Sequence, residues 1–337
     1  VRQRDGLRNV LKNKDTQEVI VETLENGVRF CMFPEGKHRT MHSLQVLGKG
    51  AFRAALAAKE KFGSERPIYI VPVGIEYGDY FRYRSTSLVN YGNAINVTEF
   101  VKTLDVENDV QMIEPLRKEL TARMSELMTF IPDDENYEAK WALLKMLSIA
   151  GEKKGYGDYG TGLYEGMLRN REIALDIEKA LEEKPEKMAE ILKEVKEFEA
   201  KRKKKGISTY AFKKKSNPVL SAIGKGFAAL LGLPYFLFSA IASLPMWGVS
   251  ELIRGKVKDK AFRNTVGFGV KLVMTVLLGI TYTTLAFCLA PWWLALALLA
   301  LWLPSYSYFY DYIEGCRRWF SDLRLLSNKK LWKKFKG

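Results

Sequence analysis

Histidine, cysteine and acidic residues are what this sequence is short of. It has two histidines, His38 and His42, and three cysteines, Cys31, Cys288 and Cys316, among 337 residues. Three widely separated thiols, an odd number, signal neither a disulfide framework nor a metal site. Asp and Glu number 39 against 53 Lys and Arg, a net charge of +14. Such a surplus favours anionic partners, either nucleic acid or an anionic membrane face. Charge is missing altogether from two long stretches, residues 226–249 and 272–310. A bilayer-crossing helix needs roughly 20 apolar residues, so both read as membrane segments, and the expected partner is membrane lipid with no nucleic acid.

The second stretch is too long for one span and too short for three. Pro291 lies near its middle, so two helices joined by a tight turn fit best. Trp292 and Trp293 beside the turn suit the far interface, and Tyr306, Tyr308 and Tyr310 mark the return. The first stretch has cations on both sides. Residues 201–205 (Lys-Arg-Lys-Lys-Lys) and Lys213–Lys215 precede it, while Arg254, Lys256, Lys258, Lys260 and Arg263 follow it. Cations prefer the cytoplasmic side, so a re-entrant or interfacial hairpin, bent at Pro234 or Pro245, is favoured over a simple crossing. The tail from Lys329 to Lys336 alternates cations with Leu331, Trp332 and Phe335, a pattern that suits an anionic headgroup layer; a solvated tail is the alternative.

The first hundred residues alternate elements differently. A helix over Asp15–Glu25, a strand over Val28–Phe33, a helix over Leu47–Phe62 and strands over Pro67–Tyr77 and Ser87–Val97 predict an α/β class with a mixed sheet. Pro34 and Gly36 end the Val28–Phe33 strand and leave Glu35, Lys37, His38 and Arg39 on a loop suited to an anionic ligand. Helical periodicity follows over Val106–Phe130, Tyr137–Ile149 and Leu168–Phe198, with a glycine-rich connection over Gly151–Gly166. Those apolar stripes read as core packing. The expected organisation is an α/β domain over 1–100, a helical extension over 101–215, a membrane region over 216–312 and a basic amphipathic tail over 313–337.

Phe33-Pro34-Glu35-Gly36 resembles the third motif of the glycerolipid acyltransferase family, which includes lysophosphatidate and glycerol-3-phosphate acyltransferases. Lys37 and His38 depart from its commonest form. The neighbours arrive in the family's order. Arg2 to Gly6 resembles the second motif, whose arginine holds the substrate phosphate, and Arg4 is the closer match. Residues 47–52 (Leu-Gly-Lys-Gly-Ala-Phe) resemble the segment after the third motif, and Ile70-Val71-Pro72-Val73 the fourth. The stretch after Gly78 is similar to the family's next region, with Ala94 in place of a proline; Arg82 and Arg84 there read first as surface charges, with contact to a donor phosphate as the alternative. The resemblance thus implies substrate-phosphate binding by Arg4, Glu35, Gly36, Lys37 and Arg39, flanked by Phe33, Pro34, Lys49, Val71 and Pro72. It implies no metal and no cofactor beyond acyl-CoA or acyl carrier protein as co-substrate.

The family's catalytic His-x-x-x-x-Asp is missing: Ser43 stands five residues after His38, and Leu47 five after His42. The chain begins with Val1, close to the second-motif match, so the catalytic base is expected before residue 1, none in residues 1–337, and this stretch alone is expected to be inactive. Moving an acyl group from a thioester to a hydroxyl needs a base for the hydroxyl proton, which a histidine oriented by a carboxylate supplies near neutrality. Arginine suits the phosphate because its planar fork offers parallel donors and does not titrate there. Glu35 is expected to orient an arginine, accept from the acceptor hydroxyl or close the loop. His38 and His42 carry no expected catalytic duty. A kinase loop is excluded, because Arg53 occupies the third glycine position and no His-Arg-Asp or Asp-Phe-Gly occurs; the full phosphate-loop pattern is also absent. The resemblance implies a membrane-bound enzyme on the cytoplasmic side that acylates lysophosphatidate, with glycerol 3-phosphate as the alternative acceptor. A non-catalytic lipid-binding protein is the alternative of another class.

Overall fold

The computed structural model describes residues 7–37, 39, 41–78, 86–106, 108–150, 162–213, 217–258 and 260–336. The chain divides into two units, the first drawn mainly from residues up to 193 and the second mainly from residue 194 onward. The first, the motif unit, contains α1 (Leu7–Glu25), α2 (Gly50–Phe62), β1 (Tyr69–Ile70), β2 (Val73–Tyr77), β3 (Ser87–Tyr91), β4 (Ile95–Asn96), α3 (Val97–Lys102), α4 (Asp109–Ser125), α5 (Tyr137–Ala150), α6 (Leu163–Glu183) and the start of α7 (Pro185–Lys204). It is mostly helical. The strands form two antiparallel pairs, β1 with β4 and β2 with β3, where the sequence predicts a larger mixed sheet.

Local chemistry explains these limits. Pro72 donates no N–H to a ladder, and the predicted strand over 67–77 is interrupted at Val71–Pro72. Val28–Phe33 forms no strand, because no described strand pairs with it and a ladder needs a neighbour. Its Val28, Phe30 and Phe33 are instead 56%, 45% and 73% exposed. Asn96 caps α3 by accepting from Glu99 N–H, and Asn108 caps α4 by accepting from Val110 N–H. The expected helix over Leu168–Phe198 is two helices, since Pro185 opens α7 where a first-turn N–H has no partner anyway. The expected connection reaching Gly166 ends earlier, α6 starting at Leu163; residues 151–161 lie outside the described residues.

Two cores hold this unit. Phe52, Ala55 and Leu56 on α2 pack with Leu47, Ile95, Val97, Val101 and the α4 residues Ile113, Leu116 and Leu120. Complete burial of Phe52 and Leu116 stabilises the unit by roughly 1.5–3 kcal/mol each. A second core joins Ile131, Tyr137 and Leu144 to Ala174, Ile177 and Met188, with Met41 and Trp141 against it.

The second, membrane unit holds most of the charge-free sequence. After a 3-10 turn over Thr209–Phe212 come α8 (Pro218–Lys256), α9 (Lys260–Leu289), α10 (Trp292–Leu326) and α11 (Lys329–Lys336). Asn217 caps α8, accepting from the N–H groups of Val219 and Leu220. Three of these helices, α8, α9 and α10, are long and apolar enough to cross a membrane. The break between α9 and α10 falls at Ala290–Pro291. In α11, Leu331 is 8% exposed, and the Trp332 ring stacks on Phe212 at 6.1 Å, so these two residues pack on protein.

Contacts fix the register of this bundle. Along the first half of α8, Lys225 pairs with Asp322 at 2.6 Å, Ala229 O accepts from Tyr312 Oη at 2.8 Å, Gly232 O accepts from Tyr308 Oη at 3.0 Å, and Tyr235 Oη donates to Leu301 O at 2.7 Å. This half is therefore antiparallel to α10. Along the second half, Ala242 O accepts from Tyr282 Oη at 3.1 Å, Met246 Sδ lies 3.6 Å from Thr275 Oγ1, and Ser250 approaches Gly267 O at 3.5 Å. This half is antiparallel to α9. Helices α9 and α10 are themselves antiparallel, with Lys271 over the Tyr310 ring and Tyr282 edge-on to Trp302. A straight helix cannot run antiparallel to both members of an antiparallel pair, so α8 reverses direction between Tyr235 and Ala242. Pro234 and Pro245 lie inside it, and each removes a helical hydrogen bond near the reversal.

Candidate functional site

A closed loop over Pro34–Gly48 carries the residues of the third motif. Gly36 N–H donates to Phe33 O at 3.2 Å, closing a turn with Pro34 at its second position, and Gly36 has φ +67, where other residues are strained. Gly48 N–H donates to Pro34 O at 2.7 Å. A Cβ on Gly48 would lie 3.1 Å from that same oxygen, so a side chain there would require the two loop ends to shift by a few tenths of an ångström. Glu35 accepts from Gln45 N–H at 3.0 Å, and Gln45 Nε2 donates to Lys37 O at 2.8 Å. Glu35 thus occupies the loop-closing arrangement. Lys37 and Lys49 are exposed at the ends of this closure.

The tip of the loop is fastened by a residue given no function in the sequence reading. His42 N–H donates to Tyr137 Oη at 2.7 Å, and its carbonyl accepts from Ile131 N–H at 2.7 Å. Its ring packs on Trp141 with centroids 4.2 Å apart, and its Nδ1 lies 3.4 Å from Glu76 Oε1. Glu76 is 5% exposed and accepts from Thr129 N–H at 2.9 Å. A carboxylate beside Nδ1 helps to orient an imidazole. The backbone bonds on both sides and the Trp141 contact make His42 first a clamp. Burial raises the Tyr137 hydroxyl above its ordinary pKa, so it stays a neutral donor and acceptor near neutrality.

Beyond the clamp, Arg39 pairs with Asp133 at 2.5 Å, both partly exposed. Its guanidinium is shared with a carboxylate, unlike the exposed Lys37. Lys140, with a side chain 4% exposed, bonds Asp134 at 2.6 Å and Glu178 at 2.8 Å, fastening α5 to α6. Burial alone would lower its pKa, but the two carboxylates more than offset this and raise it.

The predicted site residues are therefore unevenly gathered. Glu35, Gly36, Lys37, Arg39 and Pro34 share the loop, and Lys49 adjoins it as the residue before α2. Phe33 is 73% exposed at its entry. Val71 and Pro72 lie between β1 and β2, Val71 exposed and Pro72 buried. Arg4, His38, Arg82 and Arg84 lie outside the described residues. Among the described residues no group of three or more His, Cys, Asp or Glu side chains is placed to hold a metal ion.

The second unit carries three helices long and apolar enough to cross a membrane, and the first a glycine-turned loop that leaves Lys37 and Lys49 exposed. Residues 3–76 are similar to the family model described as Acyltransferase, which supports acyltransferase activity in general. No curated protein and no solved structure matches the chain.

Proposed function

We propose that the protein is a membrane-bound O-acyltransferase of glycerophospholipid synthesis, acting at the cytoplasmic face. It moves a fatty acyl group from acyl-CoA or acyl carrier protein to lysophosphatidate, making phosphatidate. The observation that carries this reading is the closed loop over Pro34–Gly48, lying within the Acyltransferase match and leaving Lys37 and Lys49 exposed about a Glu35 held inward. The glycerol hydroxyl oxygen attacks the thioester carbonyl while a base takes its proton; the carbon–sulfur bond then breaks, and the thiol leaves carrying a proton. Lys37, with Arg4 by resemblance, neutralises the acceptor phosphate and holds the hydroxyl in register. Arg39 acts with Asp133 beside it. The base belongs, by resemblance, to a His-x-x-x-x-Asp pair that residues 1–337 do not contain.

Glycerol 3-phosphate is the alternative acceptor, and lipid binding without catalysis the alternative of another class. The full-length protein in membranes, offered both acceptors with each donor carrier, is expected to form phosphatidate from lysophosphatidate. Preferential acylation of glycerol 3-phosphate selects the first alternative, and no acyl transfer with either pair selects the second.

A further inference from the structure

The geometry points to a re-entrant α8, which enters and leaves the bilayer through one face while α9 and α10 cross it and return, so that every basic flank of the membrane unit meets the same anionic leaflet. This rests on the membrane part of the proposed function and is independent of acyl transfer.

The register carries the argument. Lys225 and Asp322 mark one end of the bundle, and Ser250 beside Gly267 marks the same end, because both lie toward the charged ends of the antiparallel pair α9 and α10. The α8 reversal lies at the level of Tyr282 and Trp302. From Leu272 to Leu289, and from Trp292 to Tyr310, the two outer helices are uncharged; at 1.5 Å per residue each is roughly 27–28 Å long, close to the ~30 Å hydrocarbon core. The charge-free limb of α8 between Lys225 and its reversal is at most about 16 residues, roughly 24 Å, and stops short of that thickness. At the far tip, Trp292 and Trp293 are 69% and 59% exposed, as interfacial aromatics are.

Charge gives the partner. Residues 201–215, 254–263 and 317–336 carry the cations flanking the membrane segments, and no charged residue lies between Lys271 and Asp311. A straight, crossing α8 would put the cluster at 254–263 on the opposite side from 201–215, against the preference of cations for one leaflet. The re-entrant path brings the described cations of all three clusters to a single surface, where an anionic leaflet attracts them.

The test uses the unmodified full chain in sealed membrane vesicles of both orientations. A membrane-impermeant amine reagent is applied from one side at a time, and adducts at Lys204, Lys258 and Lys330, all exposed, are mapped by mass. All three are expected to react from the same side, with loss of all three adducts when the reagent is on the other. Reaction of Lys258 from the side opposite Lys204 overturns the proposal, as does a Lys258 that reacts from neither side yet reacts once detergent dissolves the membrane. Repeating the map with single cysteines at these positions, in a background lacking Cys31, Cys288 and Cys316, reads the same topology with a second chemistry.

Discussion

In the motif unit the two buried charges are held by carboxylates, an imidazole or the main chain: Lys140 between Asp134 and Glu178, and Glu76 between His42 and Thr129 N–H. Between the long apolar helices of the membrane unit the polar contacts come mostly from neutral hydroxyls. Tyr235, Tyr282, Tyr308 and Tyr312 each donate to a helix carbonyl on a neighbouring segment, and the buried Asp322 is met by Lys225 near the basic end. The difference follows from the solvent. Around the motif unit water is available to half-exposed carboxylates, so a buried lysine can be neutralised at low cost. In hydrocarbon a charge is expensive, whereas a phenol adds a bond to a carbonyl already bonded within its own helix.

The comparison breaks most sharply at close packing. A Cβ at Gly74 on β2 would lie 2.6 Å from both Leu127 Cβ and Leu127 O, and neither is the end of a flexible side chain. Gly74→Ala is expected to cost the motif unit about 3 kcal/mol, read as a lower melting transition of that unit, with the tyrosine-dependent packing of the bundle unchanged. Next comes Lys225→Met, which takes a cation from Asp322, whose side chain is 6% exposed, and should destabilise the bundle by about 2–3 kcal/mol in detergent unfolding. Adding Asp322→Leu should recover most of that loss, because an apolar pair replaces a buried carboxylate that has lost its lysine.

Lys140→Met should cost about 2 kcal/mol in the motif unit, and its pH dependence sharpens the contrast. Since folding raises the Lys140 pKa, the ion pair contributes fully below the unfolded value of about 10.4 and is lost as pH rises through the higher folded value. The gap between wild type and Lys140→Met should stay constant from neutral pH to about 9 and close above about 10.5. The smallest effect is Tyr308→Phe, expected near 0.6 kcal/mol. It should be independent of pH in the neutral range, because a neutral hydroxyl is what is removed.

Sequence made the helices legible. The period of apolar residues in α4, α5 and α6, the charge-free runs and the break at Pro291 all leave local marks. Val28–Phe33 was misleading because a strand is a property of a pair, and composition says nothing of whether a neighbour is there. The loop over Pro34–Gly48 was legible through Pro34 and Gly36, whose turn chemistry is local. Its clamp was not. His42 and Glu76 stand 34 residues apart, and only the packing of β2 and α5 around the loop brings imidazole, carboxylate and Trp141 together. The reversal of α8 lies between these cases: charge on both flanks suggested it, two prolines permitted it, and only the tyrosine register distinguishes it from a straight helix.

The central claim is tested most directly by the apparent KM of Arg4→Ala and Lys37→Ala in the full-length protein, measured separately for lysophosphatidate and for acyl donor. Losing a charge-assisted contact to phosphate, worth about 1.5–3 kcal/mol, should raise the acceptor KM about 10- to 100-fold and leave the donor KM within a factor of about two. Equal changes in both, or none in the acceptor, would contradict a phosphate-holding loop and with it this account of the protein.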